Sequence, residues 1–388
     1  MRTLSTTILA LVVTGAFASA QLNHKPTYQD LVLVRNRPWA KKTFLEVRGG
    51  LLGGLPSGVD KLRQAEDTFG FGGHVFYHQE RAFGRQGALD AYAGRDGAYV
   101  GLTEGDPSQQ RGYSRLELFG RQWGQFIREG FYRSGDFVPV GLYRNTDWRA
   151  RLSFATQFAQ SVRGEIGAFY GQNRFKTYSR TDPAFTIPDD YNVYGFHVIL
   201  EDNKLQVDPV TYLTTQGYVL SVLVEREWNS SNRLFGIAGR QSALPSAVVR
   251  ANAHLEWYFP YTNQSTWIIT VDGSISPEDD RIRIYDASKP VGETYLDGRI
   301  DYRILLGDKL SVTPGVRAQW VRIRDEFGTT KTSEFFLGGQ VEARFDMSES
   351  LAITLEYSYL SNESREPVSL SRDSIGEQRL FFGFEFRP

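Results

Sequence analysis

From Arg250 to Phe259 the chain alternates without a break. Ala251, Ala253, Leu255, Trp257 and Phe259 fall on one side; Arg250, Asn252, His254, Glu256 and Tyr258 fall on the other. Between Trp148 and Phe158 the same period of two sets Trp148, Ala150, Leu152, Phe154 and Phe158 against Arg149, Arg151, Ser153 and Gln157. Ile300, Tyr302, Ile304 and Leu306 oppose Arg299, Asp301 and Arg303, and Leu337, Val341, Ala343 and Phe345 oppose Gln340, Glu342 and Arg344. Leu351, Ile353, Leu355, Tyr357 and Tyr359 likewise oppose Thr354, Glu356 and Ser358. Successive side chains of a strand point to opposite faces, so each stretch predicts a strand with one apolar wall and one charged wall.

A soluble sandwich also alternates, and a secreted β-protein is the competing architecture. Two features favour a barrel in lipid. The segments run to about 10 residues or more, where strands of globular proteins have a mode of about 5–6. Their apolar faces also carry Trp, Tyr or Phe near the ends, where membrane girdles sit. Turns such as Asn229-Ser230-Ser231-Asn232 and Asp346-Met347-Ser348-Glu349-Ser350 suit hairpins that join strands in sequence order. At the C-terminus, Leu380, Phe382, Phe384 and Phe386 alternate with Arg379, Phe381, Gly383 and Glu385. That stretch resembles the aromatic closing strand that outer-membrane barrels present to their insertion machinery, with Arg387 and Pro388 added after the last aromatic.

The predicted fold class is therefore all-β: a transmembrane, antiparallel, up-and-down barrel of about 16 strands, within a range of about 14–18. Candidate strands fall at 42–52, 67–79, 87–104, 112–133, 147–159, 162–176, 190–201, 217–228, 233–240 and 248–259. They continue at 264–275, 294–306, 309–323, 335–346, 350–360 and 377–387. Polar insertions at 104–111, 177–190, 202–216 and 276–293 read as loops.

The N-terminus reads as an export signal. Arg2 precedes the apolar run Ile8 to Val13, and Ala18-Ser19-Ala20 supplies a cleavage pattern before Gln21. Residues 1–20 are thus a signal peptide, 21–41 a short periplasmic or lumenal leader holding Pro26, Pro38 and Trp39, and 42–388 the barrel. No later stretch supplies the roughly 18 apolar residues of a membrane helix.

Composition sharpens this. Lys plus Arg number 44 and Asp plus Glu 45, a formal net charge of -1, which argues against a nucleic-acid binder relying on bulk positive charge. There is no cysteine, so disulfide scaffolds, thiolate metal sites and Cys nucleophiles are excluded. Charged side chains on spanning strands must face the lumen, because lipid penalises them by about 2–4 kcal/mol near the midplane. That makes Arg149, Arg151, Arg250, His254, Glu256, Arg299, Asp301, Arg303, Arg317, Glu342, Arg344 and Glu356 the candidate lumen residues. They read either as charge rings that select solutes or as a self-neutralising network that braces or plugs the barrel. His74 and His78, four residues apart on a strand, lie about 13 Å from one another, too far to share a metal. No catalytic residue, cofactor or metal is expected.

One stretch is similar to a named family. Leu200-Glu201-Asp202-Asn203, followed by Asp208 through Tyr218 (Asp-Pro-Val-Thr-Tyr-Leu-Thr-Thr-Gln-Gly-Tyr), resembles a loop-to-strand motif of the bacterial surface antigen barrels. That family includes barrel-assembly and two-partner-secretion translocators. Leu213 stands where the family has Pro, and an extra Thr precedes Gln216-Gly217. The family's lumenal Arg-Gly-aromatic motif finds no match at Leu296-Asp297-Gly298-Arg299 or at Val341 to Phe345. The main functional expectation is a porin-like channel for small polar solutes, in contact with outer-membrane lipid and the barrel-insertion machinery. The resemblance implies the alternative, a barrel acting in protein or lipid assembly or translocation; a plugged structural surface barrel is a third.

Overall fold

A computed structural model describes residues 28–35, 37–38, 42–55, 69–82, 87–94, 97–105, 112–133, 136–177, 181–208, 213–239, 241–276, 294–324, 331–360 and 377–386. The signal segment 1–20, nearly all of the 276–293 insertion, most of 104–111, Pro209–Tyr212 of the family-like motif and the terminal Arg387 and Pro388 lie outside them.

Sixteen long strands close on themselves. They are β1 (Thr43–Leu55), β2 (Phe69–Glu80), β3 (Gly87–Gly94), β4 (Ala98–Glu104), β5 (Tyr113–Arg133) and β6 (Asp136–Gln157). Then follow β7 (Val162–Lys176), β8 (Tyr191–Asn203), β9 (Thr214–Asn229), β10 (Ala247–Thr262) and β11 (Ser265–Ile275). The last are β12 (Thr294–Leu306), β13 (Leu310–Arg324), β14 (Lys331–Asp346), β15 (Leu351–Leu360) and β16 (Glu377–Phe386). Each pairs antiparallel with the next, and β16 returns to β1 in a register running from Val47↔Phe386 to Leu55↔Gln378. Closure leaves no free edge, which is what a sheet in hydrocarbon requires.

The alternation sorts by face. On β6, Leu152 and Phe154 are 50% and 62% exposed on the outside, while Arg151 and Ser153 are 1% and 0% exposed within. Val316, Phe335, Leu337, Leu355, Phe382 and Phe384 extend the outer apolar face around the barrel. Chain entry and exit share one end, the terminal end; the segments at 177–190, 230–246 and 276–293 join strands at the other, the loop end.

Three sequence readings are corrected. The segment 87–104 is two strands, Gly87–Gly94 and Ala98–Glu104, paired antiparallel from Gly87↔Glu104 to Ala93↔Ala98, with Gly94 N donating to Gly97 O at 2.9 Å where the chain doubles back. The segment 233–240 does not span. Gly236–Ile237 pairs instead with Phe185–Thr186 in a small sheet at the loop end. Phe235, fully buried, drives this by packing with Tyr143, Phe175, Phe185, Tyr191, Val193 and Leu244 in an aromatic cap. These two differences offset one another, so the total of sixteen stands. Thirdly, 202–216 is largely a hairpin end rather than an open loop: Lys204 N donates to Tyr218 O at 2.7 Å, and Gln206–Val207 pairs with β9. Gly217 makes that turn possible. Its φ is +96°, and a Cβ there would lie 2.0 Å from the Lys204 carbonyl oxygen.

Candidate functional site

The inward face concentrates charge. Inward positions are odd-numbered on β5 to β9 and even-numbered on β10, which brings Arg115, Glu117, Arg149, Arg151, Glu165, His197, Glu201, Glu225, Glu227, Arg250 and Glu256 into one interior, all buried. Isolated buried charges are expensive, so their pairing governs whether the interior is tolerable.

The candidate lumen residues fall into two groups. In the first, Arg149 Nη2 donates to Glu227 and Arg151 Nη2 to Glu225 at 3.0 Å, joining β6 to β9 over the two strands between them. Arg250 Nη1 lies 3.0 Å from Glu227. His254 places Nδ1 2.8 Å from Asp272 and Nε2 3.6 Å from Glu256. The second group lines β12 to β16. Arg299 Nε lies 2.6 Å from Asp301, and Arg317 Nε donates to Asp297 at 2.9 Å. Arg303 donates to the Thr214 carbonyl at 2.6 Å, and its guanidinium lies 5.9 Å from the centre of the Tyr258 ring. Arg344 reaches Glu385 at 2.7 Å and Asp346 at 2.9 Å. Glu356 stands 3.9 Å from the buried Arg48, and Glu342 is half-buried on β14. Of the closing-strand residues, Phe382, Phe384 and Phe386 are exposed on the outside and Leu380 is half-buried.

The N-terminal segment runs through this interior. The short helix α1 (Tyr28–Leu33) buries Leu31 and Val32 against Phe44, Phe76, Tyr92, Tyr99 and Phe119, on one arc of the wall from β1 to β5. Leu33 packs on Ile199 and Leu223, and Val34 on Leu205, Val219, Tyr258 and Ile268, on the arc from β8 to β11. Ser221 Oγ donates to the Leu33 carbonyl at 2.5 Å. The segment therefore bridges two arcs of wall.

Arg35 is its polar anchor. Its Nη2 donates to Glu117 at 2.8 Å and to Glu165 at 3.3 Å, and its backbone N–H donates to Glu201 at 2.7 Å. Glu117 also accepts from the Tyr99 hydroxyl at 2.7 Å, while Arg115 donates to the Arg35 carbonyl at 3.3 Å. Arg37 completes the set with a 3.0 Å contact to Glu256. Neither Arg35 nor Arg37 is among the residues singled out by alternation, because neither sits on a strand. The available signal is the apolar run Leu31 to Val34 followed by Arg at two alternate positions, an apolar-then-cationic pattern unlike a solvated linker.

Other clusters have structural explanations. His74 contacts Glu46 at 2.9 Å and stacks on Tyr92, and His78 contacts Asp90 at 2.7 Å. Ser153 Oγ and Glu165 both approach the same nitrogen of His197, Nε2, at 3.2 Å. A proton relay needs the base and its orienting acid on opposite ring nitrogens, so this arrangement is not a nucleophile triad. Among the described residues no three His, Asp or Glu side chains converge to hold a metal. In the family-like segment, the Tyr218 hydroxyl donates to Asp202 at 2.6 Å. Beyond β8, the Tyr218 hydroxyl and then the Asp202 carboxylate raise Lys204 above the ordinary lysine value.

No protein-family model matches the chain, and no curated protein does. Solved structures do. CdiB from Acinetobacter baumannii is 10% identical over 90% of this chain and 60% of its own, with a TM-score of 0.52. The crystal structure of BamA from Haemophilus ducreyi lacking POTRA domains 1-3 is 11% identical over 99% of this chain and 77% of its own, also with a TM-score of 0.52. The chain thus spans 60% of the length of CdiB. At these identities the likeness is one of fold alone, that of a closed antiparallel barrel.

Proposed function

Starting from a barrel fold shared with BamA and CdiB, we propose that this chain is an outer-membrane barrel acting in protein or lipid assembly or translocation, with its resting lumen closed by its own N-terminal segment. Its terminal end faces the periplasm and its loop end the outside. The observation that carries the reading is the course of residues 31–37, which pack on two arcs of the wall and pin Arg35 to Glu117, Glu165 and Glu201. A segment that packs on two arcs of the wall narrows any path between them, which works against an always-open diffusion channel. It suits a translocating barrel that must stay sealed between events.

The closure is suited to release. Three carboxylates face Arg35 from β5, β7 and β8, and every one of them regains water if the segment withdraws, so the desolvation cost of the buried pairs offsets much of their attraction. The porin-like reading for small polar solutes keeps the paired charges of the wall in its favour and has the crossing segment against it.

Planar-bilayer recording of the refolded full chain tests the proposal. Long silent intervals are expected from the unaltered chain, and stepwise conductance from the Arg35→Ala, Arg37→Ala double variant. Steady stepwise conductance from the unaltered chain would return the reading to a porin-like channel.

A further inference from the structure

Both arginines that pin the crossing segment share a carboxylate oxygen with a histidine. Oε1 of Glu165 receives Arg35 Nη2 at 3.3 Å and His197 Nε2 at 3.2 Å. Oε2 of Glu256 lies 3.0 Å from Arg37 Nη2 and 3.6 Å from His254 Nε2. The histidines belong to the wall, on β8 and β10, and both are buried. At each anchor the segment brings the cation, the wall brings the imidazole, and the two meet on one oxygen.

A carboxylate only accepts, so in a neutral ring the proton sits on the nitrogen bonded to the carboxylate. For His197 that nitrogen is Nε2. Its Nδ1 is buried and has no hydrogen-bond partner among the described residues, so a second proton there meets no acceptor. For His254 the first proton sits on Nδ1, 2.8 Å from Asp272, and a second lands on Nε2, facing Glu256.

The surroundings set the sign. Around His197 stand Arg151 and Ser153 on β6, Glu165 on β7, Glu201 farther along β8, Glu225 opposite it on β9, and Arg35 of the segment. Glu225 is held by Arg151 at 3.0 Å and by Arg149 at 3.8 Å. Around His254 stand Asp272 opposite it on β11, Ser221 opposite it on β9, Arg250 and Glu256 on its own strand, and Arg37 of the segment. Tyr258 donates to the other oxygen of Glu256. While the segment is seated, a proton on His197 adds a cation beside Arg35 and Arg151 and leaves a buried N–H unmet. A proton on His254 sets that ring against Arg37 for one oxygen. Once the segment withdraws, water reaches Nδ1 of His197, and each imidazolium neutralises the carboxylate that its arginine has left. Leaving a carboxylate buried without that charge is costly, so the protonated wall releases the segment more readily than the neutral one. Glu117, the further carboxylate on the Arg35 guanidinium, keeps Arg151 at 3.8 Å and Arg115 at 3.9 Å.

We propose that His197 and His254 make the lumenal seal acid-sensitive: a proton on each stands in for Arg35 and Arg37 and lets the N-terminal segment withdraw. This rests on the reading of residues 31–37 as the seal and adds its regulation. The withdrawn state binds more protons than the seated one, so falling pH favours withdrawal, by at most about tenfold per pH unit for each histidine. Imidazole ordinarily titrates near pH 6.5, so the seal holds at neutral pH and weakens below about pH 6.5.

Planar-bilayer recording of the refolded full chain at about pH 7.5 and about pH 5.5 tests this. The unaltered chain is expected to be silent at the higher pH and to gain about tenfold or more in open time at the lower. The His197→Gln, His254→Gln variant is expected to stay silent at both. His74→Gln, whose histidine contacts Glu46 instead of an anchor carboxylate, is expected to keep the full acid response. An unaltered chain that stays silent in acid, or a double variant that opens as the unaltered chain does, overturns the proposal. Should the double variant fail to fold, each single variant is expected to lose part of the response, and an undiminished response in both overturns it. A second readout needs no histidine variant. The chain has no cysteine, so Leu33→Cys introduces a single thiol on the segment. Its labelling rate, relative to the urea-unfolded chain at the same pH, is expected to rise in acid, and an unchanged ratio contradicts withdrawal. The Arg35→Ala, Arg37→Ala variant separates the two readings. If it conducts at both pH values while the unaltered chain is silent at both, acid sensitivity alone fails; steady conductance of the unaltered chain at both overturns the seal itself.

Discussion

Arg35 shows how much one side chain can be asked to do. It is buried, its guanidinium donates to carboxylates from two strands, its backbone N–H reaches a carboxylate on a third, and its carbonyl accepts from Arg115. Removing one partner of a buried charge pair leaves the others desolvated without compensation, at a cost of about 3–5 kcal/mol. Arg35→Ala is therefore expected to lower the unfolding free energy in phosphatidylcholine vesicles by about 3 kcal/mol. Adding Glu117→Gln and Glu165→Gln to it should recover part of that loss, because fewer charges are then left buried; an additive loss would contradict the pairing. Gly217 tests the backbone. Gly217→Ala puts a Cβ against the Lys204 carbonyl at a φ of +96°, and a cost of about 1–3 kcal/mol is expected in a urea titration of the vesicle-inserted chain. Outside, Leu152→Arg would present a charge where the wall is 50% exposed to lipid, and a loss of about 2–4 kcal/mol is expected.

At the scale of elements, the strands were the legible part. Charged and apolar residues alternate on β6, β10, β12, β14 and β15 because one wall meets lipid and the other the interior, and a period of two leaves no freedom of face. What the alternation could not reveal were elements whose partners are remote in sequence. Phe235 belongs to a loop because Tyr143, Phe175 and Tyr191 offer it a buried aromatic site, and α1 has too few residues to show a helical period. The cap gives an element-scale expectation. Phe185→Ala should speed proteolysis of the loop end while leaving the urea midpoint of the barrel nearly unchanged; a midpoint shift as large as that of Leu152→Arg would make the cap part of the barrel's own stability. The seam gives another. Gly50 faces Gly383 across β1 and β16, and a Cβ at Gly50 would lie 2.3 Å from the Phe382 carbonyl and 2.4 Å from the Gly383 Cα. Gly50→Val is expected to abolish heat-modifiable gel migration, the sign of a closed barrel.

For the whole molecule, the composition set an aromatic-rich, nearly neutral chain in a membrane-barrel class, and the fold accounts for both properties. Aromatic and aliphatic residues clad the outside, while cations and carboxylates from the same strands neutralise one another inside. The identity of the inward residues could be read from parity. Their partners could not, since Arg151 and Glu225 meet only once β6 and β9 curve to face each other. Nor could parity show that the lumen is crossed, because that depends on a segment outside any strand. The absence of cysteine makes this crossing directly accessible to measurement. Leu33 and Leu223 pack together, one on the crossing segment and one on the wall. In the Leu33→Cys, Leu223→Cys variant, oxidation is expected to form a single intramolecular disulfide and to keep bilayer conductance silent, with openings appearing after reduction. A pair that will not cross-link, or an oxidised protein that conducts as freely as the reduced one, would contradict a lumen closed by its own N-terminus.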